Sequence, residues 1–171
     1  ELKGKYLGII GLGNMGKRLG RLARALNMNI IGYDIIPIDE EFSKEVGLMK
    51  ADLDTLLASS DYVSLHVPLL DGTKHMINAE KLRLMKKTAH IVNTSRGGVI
   101  DEEALYNALK DGNLESAALD VFEVEPAIGN KLTNLPNFVA TPHIGAQTKE
   151  AQSLAANVIA EKIIQVLRGV M

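Results

Sequence analysis

The chain contains no cysteine, so no disulfide contributes to its fold. It has no apolar stretch approaching the roughly 18 residues that a membrane span requires. It also has no run of basic residues, and its net charge is −2, the wrong balance for gripping a phosphate backbone. Neither a membrane nor a nucleic acid is expected as a partner. The apolar run from Leu7 to Gly13 is too short and too broken by glycine to be a signal peptide, and a cytoplasmic location is expected. The 171 residues, 46% apolar and 23% charged, suffice for one well-buried core and are too few for two ordinary domains. A single domain over residues 1–171 is therefore expected. The chain begins at Glu1 rather than Met, which reads as a piece taken from something larger.

What is present is a regular alternation of short apolar runs with helical patterns, the signature of a doubly wound, Rossmann-type parallel sheet with helices on both faces. Strands are expected at Tyr6 to Ile10, Asn29 to Tyr33, Tyr62 to Leu65, Ala89 to Asn93, Ala117 to Leu119 and Phe138 to Ala140. Met15, Leu19, Leu22, Ala23 and Leu26 fall on one helical stripe, and Ala104, Leu105, Ala108 and Leu109 on another. Asp101 can cap the second helix, Glu102 and Glu103 suit its positive end, and Gly112 stops it. Leu154, Ala155, Val158, Ile159, Ile163, Val166 and Leu167, three and four apart, predict one helix from about Ala146 to Leu167.

Directly after the first strand stands Gly11-Leu12-Gly13-Asn14-Met15-Gly16. In that position Gly11 permits a tight turn, Gly13 lets backbone approach a pyrophosphate, and Gly16 allows close helix–strand packing. The anion meets N–H groups at a helix N-terminus. Asp34 ends the second strand eighteen residues past Gly16, where an acid accepts hydrogen bonds from the adenosine ribose. It could also be a simple turn residue ahead of Ile35-Ile36-Pro37. A carboxylate repels a 2′-phosphate and no Arg follows closely, so NAD rather than NADP is the expected cofactor.

Three further segments end in reactive side chains: Asn93-Thr94-Ser95-Arg96-Gly97-Gly98, Asp120-Val121-Phe122-Glu123-Val124-Glu125-Pro126, and Thr141-Pro142-His143-Ile144-Gly145. Each lies beyond the carboxyl end of an expected strand, the rim where parallel sheets bind ligands. There an Arg can grip a carboxylate, a His can exchange a proton with a hydroxyl or carbonyl, and a Glu can orient the imidazole and favour its protonated form. That set suits interconversion of a 2-hydroxy acid and a 2-keto acid. Singly, Arg96 could be a surface ion pair, Glu125 a turn acid, and His143 a loop histidine. Their shared placement argues against those readings.

The combination of motifs resembles the NAD-binding domain of the D-isomer-specific 2-hydroxyacid dehydrogenases. The resemblance runs through Leu2-Lys3-Gly4-Lys5, Leu65-His66-Val67-Pro68 with Thr73 and Ile77-Asn78, Asn93 to Leu105, Ala117 to Pro126, and Leu135-Pro136-Asn137 to Ala146. It implies that Arg96 binds substrate carboxylate and carbonyl, His143 is the acid/base, Glu125 pairs with it, and Asp120 holds the nicotinamide carboxamide. The cofactor contacts it implies are Gly11, Gly13, Asn14, Met15, Gly16, Asp34, His66, Pro68, Thr73, Thr94, Ser95, Asp120 and Gly145. Within the family, His143 through Glu150-Ala151-Gln152 is most similar to the D-3-phosphoglycerate dehydrogenases, although Gln147 replaces their common Ser. The implied substrate is a small 2-hydroxy acid, 3-phosphoglycerate on the narrower match. The family's second, substrate-binding domain and its dimerising arm are not expected within this chain, while the parent enzyme is expected to be a homodimer.

Two other readings use parts of the same sequence. The glycine motif alone would suit a 3-hydroxyacid dehydrogenase, but that leaves the Arg96, Glu125 and His143 segments unexplained. An NAD-responsive, non-enzymatic binding protein similar to the family's corepressor relatives would retain all of them. His66 is expected to shape the adenine pocket. His75 and His90 lack partners at ligand spacing, so no metal site is expected, and the six Met residues are expected to fill core gaps.

Overall fold

A computed structural model of the protein describes residues 1–169. The apolar runs form β1 (Tyr6–Ile10), β2 (Asn29–Tyr33), β4 (Tyr62–Leu65), β5 (His90–Asn93), β6 (Ser116–Leu119) and β7 (Phe138–Ala140). A two-residue strand, β3 (Met49–Lys50), joins them. All pairings are parallel, in the order β3-β2-β1-β4-β5-β6-β7. The expected doubly wound fold is therefore present. Chain order reverses between β1 and β4, which opens a crevice at the carboxyl ends of the strands.

Helices cover both faces because the central strands are apolar on both sides. On one face Leu7, Ile9 and Ile30 pack with Ala23 of α1 (Asn14–Ala25) and Phe42 and Val46 of α2 (Glu40–Val46). On the other, Ile10, Ile31, Val63 and Ile91 pack with side chains of α3 (Leu53–Ser59), α4 (Ala79–Leu84) and α5 (Glu102–Lys110). Ile9, Ile10, Leu65 and Leu105 are fully enclosed, each contributing about 1.5 to 3 kcal/mol through burial. Side-chain caps fix where the helices begin. Asp39, Asp52, Asn78 and Asp101 each accept backbone N–H bonds from the first turn of the helix that follows.

Two helix expectations need correction. Of the expected α1 stripe, Ala23 is buried and Leu19 packs partly buried against the core, but Met15, Leu22 and Leu26 are exposed, and Gly16 and Gly20 are buried instead. The reason is steric. A Cβ on Gly16 would lie 2.0 Å from the Gly11 carbonyl oxygen, and one on Gly20 2.9 Å from the Phe42 ring, so the helix sits too close to its neighbours for larger residues. The last helix, α6, spans Lys149–Leu167 rather than starting at Ala146, because the Thr148 hydroxyl accepts the Ala151 N–H and sets the cap there. No residue of α6 is buried, so its apolar positions do not contribute to the core of the described residues. Of the methionines, Met28 and Met85 fill core gaps, whereas Met15 and Met49 are exposed.

Candidate functional site

The crevice begins at the glycine turn. Gly11 has φ +92°, and a Cβ there would meet the His66 carbonyl oxygen at 2.7 Å, so only glycine fits between β1 and the loop after β4. Gly13, the N-cap of α1, faces open space, and no side chain caps this helix nor does an acid stand in its first turn. The result is a positive helix end with room for an anion against the backbone. Asn14 and Met15 are exposed on its first turn.

Asp34 performs two local tasks at once. One carboxylate oxygen accepts the Leu12 N–H at 2.6 Å, holding the glycine turn to the end of β2, and the other accepts the Ile36 N–H at 3.0 Å, closing a turn. Each oxygen retains acceptor capacity for a ribose hydroxyl. The turn reading and the ribose reading of this residue are therefore compatible.

Across the switch point, Met15, His66, Val67, Pro68, Thr94, Ser95 and Arg96 line a cavity of about 270 Å³. Burial pushes the His66 imidazole below its usual range, so the ring is neutral near pH 7, and its Nε2 pairs with Ser64 Oγ at 2.9 Å. The Thr73 hydroxyl is used internally, donating to the Pro68 carbonyl at 2.6 Å and accepting the Leu70 N–H at 2.8 Å, which closes the 68–73 loop. Asn93, nearly fully buried, organises the Arg96 segment. Its Oδ1 accepts the Ser95 N–H and hydroxyl, and its amide donates to the Arg96 carbonyl. Arg96 itself is exposed and has no acidic partner among the described residues, unlike a surface ion pair.

Beyond β6 and β7 the structure brings Glu125 and His143 together. His143 Nδ1 lies 2.8 Å from Glu125 Oε2, while Glu125 Oε1 accepts the Phe122 N–H at 3.0 Å. The bonds from His143 and from Phe122 hold the Glu125 carboxyl below the ordinary carboxylate range, against the opposing effect of burial. An ionised carboxylate only accepts, so Nδ1 carries the proton and, in the neutral ring, the Nε2 lone pair is the group left to act. His143 has φ +53°, a conformation uncommon outside glycine. Arg96 does not share their cavity. Glu125 and His143 line a separate one of about 580 Å³ with Phe122, Pro126, Thr133 and Thr141.

Asp120 shows how that loop is held. Its carboxylate, 6% exposed, accepts the Thr141 hydroxyl at 2.6 Å, the Ile144 N–H at 2.9 Å and the Gly145 N–H at 3.0 Å. Burial pushes its pKa up, but these three donors and the neighbouring His143 prevail and hold it below the usual range. A Cβ on Gly145 would lie 3.1 Å from the same carboxylate. The residue that the family resemblance assigns to the nicotinamide thus also clamps the His143 loop. Gly97 performs a similar task between loops: a Cβ there would fall 1.9 Å from the Phe122 carbonyl oxygen, so its absence lets the Arg96 and Glu125 segments touch.

Two histidines differ from expectation or stand apart. His75 does have a carboxylate partner, Glu123 at 3.0 Å, drawn from 48 residues away and invisible to a reading of local spacing. His90 stacks on Tyr62 and bonds Ser116 at the opposite end of its strand. Among the described residues no cluster suited to a metal ion is found, and no helix is long and apolar enough to cross a membrane.

Comparison with known proteins gives this geometry its context. Residues 1–145 match the family model described as D-isomer specific 2-hydroxyacid dehydrogenase, NAD binding domain. The chain is 51% identical over 170 residues to D-3-phosphoglycerate dehydrogenase of Methanocaldococcus jannaschii, covering 99% of this chain and 32% of that protein. It is 49% identical over 170 residues to hydroxypyruvate reductase of Thermotoga maritima, covering 98% and 54%. The chain thus spans between about a third and about half the length of these relatives. The NAD-complexed D-isomer specific 2-hydroxyacid dehydrogenase of Lactobacillus delbrueckii superimposes with a TM-score of 0.91 at 30% identity, over 100% of this chain and 56% of that one. The matched family model is that of an NAD-binding domain, and NAD is accordingly the cofactor, the one expected from the sequence. By sequence and by fold, the chain belongs to the D-isomer-specific 2-hydroxyacid dehydrogenase family, which it matches through that family's NAD-binding domain.

Proposed function

We propose that this chain is the cofactor-binding unit of an NAD-dependent D-2-hydroxyacid dehydrogenase, with His143 as the acid/base and 3-phosphoglycerate as the hydroxy acid. The observation that carries the proposal is the 2.8 Å bond between His143 Nδ1 and a Glu125 carboxylate kept ionised by its own donors. When bound, NAD supplies the acceptor or donor of the hydride. Arg96, unpaired with any acid among the described residues, can take a substrate carboxylate in two parallel hydrogen bonds. His143 Nε2 accepts the proton of the 2-hydroxyl during oxidation or returns it to the carbonyl during reduction. Glu125 fixes the ring's tautomer and stabilises the cation formed when Nε2 is protonated. Asp120, by holding the 141–145 loop, positions the imidazole.

The choice of 3-phosphoglycerate is supported by the similarity to D-3-phosphoglycerate dehydrogenase of Methanocaldococcus jannaschii. Because Arg96 and His143 line separate cavities, we propose that a second unit closes over the rim, excludes water and completes the substrate pocket. The test is to join this chain to a small domain from that relative and compare oxidation of 3-phosphoglycerate with reduction of hydroxypyruvate and glyoxylate. Preference for 3-phosphoglycerate, abolished by His143→Asn, is expected. Preference for either keto acid would overturn the substrate assignment, and activity surviving His143→Asn would overturn the acid/base assignment. The unjoined chain should turn over very slowly; rates in the ordinary enzymatic range, about 1 to 1000 per second, would refute the need for a second unit.

A further inference from the structure

A cavity of about 560 Å³ lies beside the end of β2, bounded by Asp34, the turn 35–38, Glu40, Lys50 and Asp52. Lys50 is the one cation on its wall, and it is engaged. The lysine comes from β3, which places it level with Gly32 of β2. Its ammonium is bound by the Glu40 carboxylate and lies 3.4 Å from the Ile38 carbonyl oxygen. The hydrogen bond from Lys50, followed by its charge, keeps Glu40 ionised below the usual carboxylate range.

A cofactor with an added 2′-phosphate would bring roughly 1.5 to 2 further negative charges to the ribose. Lysine is a competent phosphate ligand, with a mobile point charge on a long stem. A lysine thus stands on the same wall as Asp34, where a free ammonium would offset that carboxylate's repulsion of a 2′-phosphate. We propose that Glu40 is a specificity-determining residue: by holding Lys50 it withholds the one cation on this cavity's wall from a 2′-phosphate, and so reinforces Asp34 in favouring NAD over NADP. This rests on the reading that Asp34 faces the adenosine ribose. The pair is largely exposed, Lys50 at 42% and Glu40 at 74%, so it matters little to the stability of the fold. It can be broken without unfolding the chain.

The experiment measures NADH and NADPH affinities by calorimetry for the chain and for Glu40→Gln, Lys50→Ala, the Glu40→Gln/Lys50→Ala double variant and Asp34→Asn. The readout is the ratio of NADPH to NADH affinity. Glu40→Gln should raise that ratio about three- to tenfold, the effect of one unit charge several ångströms from a phosphate near water. The gain should vanish in the double variant, since the lysine is what receives the phosphate. Asp34→Asn should raise the ratio whether or not Glu40 is present. If Asp34→Asn leaves the ratio unmoved, the ribose reading fails and the Glu40 proposal fails with it. If Asp34→Asn shifts the ratio while Glu40→Gln changes it by less than about twofold, a difference too small for a released charge, the Glu40 proposal alone is overturned. Persistence of the gain without Lys50 overturns it too, because removal of a negative charge would then suffice.

Discussion

Replacing Asp120 by Ala removes three hydrogen bonds at once, those from the Thr141 hydroxyl and from the Ile144 and Gly145 N–H groups. Bonds to a charged acceptor can be worth about 1.5 to 3 kcal/mol each, but Ile144 and Gly145 are exposed and water can replace their partner. Taking about 1 kcal/mol per bond, the 141–145 loop loses about 3 kcal/mol of closure, or about 150-fold in its opening equilibrium. Asp120→Asn retains one oxygen and should cost nearer 1 kcal/mol, about fivefold. Amide hydrogen exchange at Ile144 and Gly145, referenced to Ile9 in β1, reads this directly. Loop amides that accelerate less than about threefold in Asp120→Ala would refute the clamp. The pH dependence follows from the lowered carboxyl pKa. The stabilisation is present in full above the ordinary unfolded value of about 3.9 and is lost as pH falls through the lower folded value. The difference between wild type and Asp120→Ala should therefore persist from pH 7 to about pH 4 and collapse only in stronger acid.

Gly97→Ala would drive a methyl group into the Phe122 carbonyl; it should destabilise the chain by about 1 to 3 kcal/mol or more, measured by thermal unfolding, and a neutral outcome would mean the loops do not touch. The Glu125 carboxyl carbon, followed by NMR, should titrate below the reference of about 4.3 and move back up in His143→Asn; a wild-type midpoint at or above the reference would dissolve the proposed pair. Asp34→Ala should weaken NADH by about 1 to 3 kcal/mol in calorimetric titration, and an unchanged affinity would leave Asp34 as only the Leu12 and Ile36 turn acceptor.

The parts of the fold legible in the sequence are those encoded locally. Apolar runs marked six strands to within a residue because a doubly covered sheet needs side chains buried on both sides of the same strand. β3 escaped because two exposed residues at a sheet edge have no periodicity to read. The buried face of α1 was misread in part for a different reason: close contact was made by Gly16 and Gly20, which carry no apolar signal, while Met15, Leu22 and Leu26 stayed outside. The start of α6 was set too early, at about Ala146, although Thr148, a cap residue ahead of the apolar positions, marks it locally. In the site, the glycine turn and Asp34 were readable through their spacing. The Asn93 bonds to Ser95 and Arg96 went unread, although an Asn two residues before a turn N–H is a local pattern that could have shown the first of them. The Asp120 clamp, the Gly97 contact with Phe122 and the His75–Glu123 pair join residues 21 to 48 positions apart. No local rule reaches them.

The position of β1 has a consequence in time as well as in space. Leu7 pairs on one side with Ile30 but on the other with Tyr62, which is synthesised 55 residues after it. At the usual pace of about 5 to 20 residues per second, one edge of this buried strand waits about 3 to 11 seconds for its partner during translation. An unpaired parallel edge is a template for the wrong chain. Until β4 arrives, the strand that leads into the glycine turn is open to capture by a neighbour, so slower initiation or lower temperature during synthesis should favour correctly paired protein over aggregate.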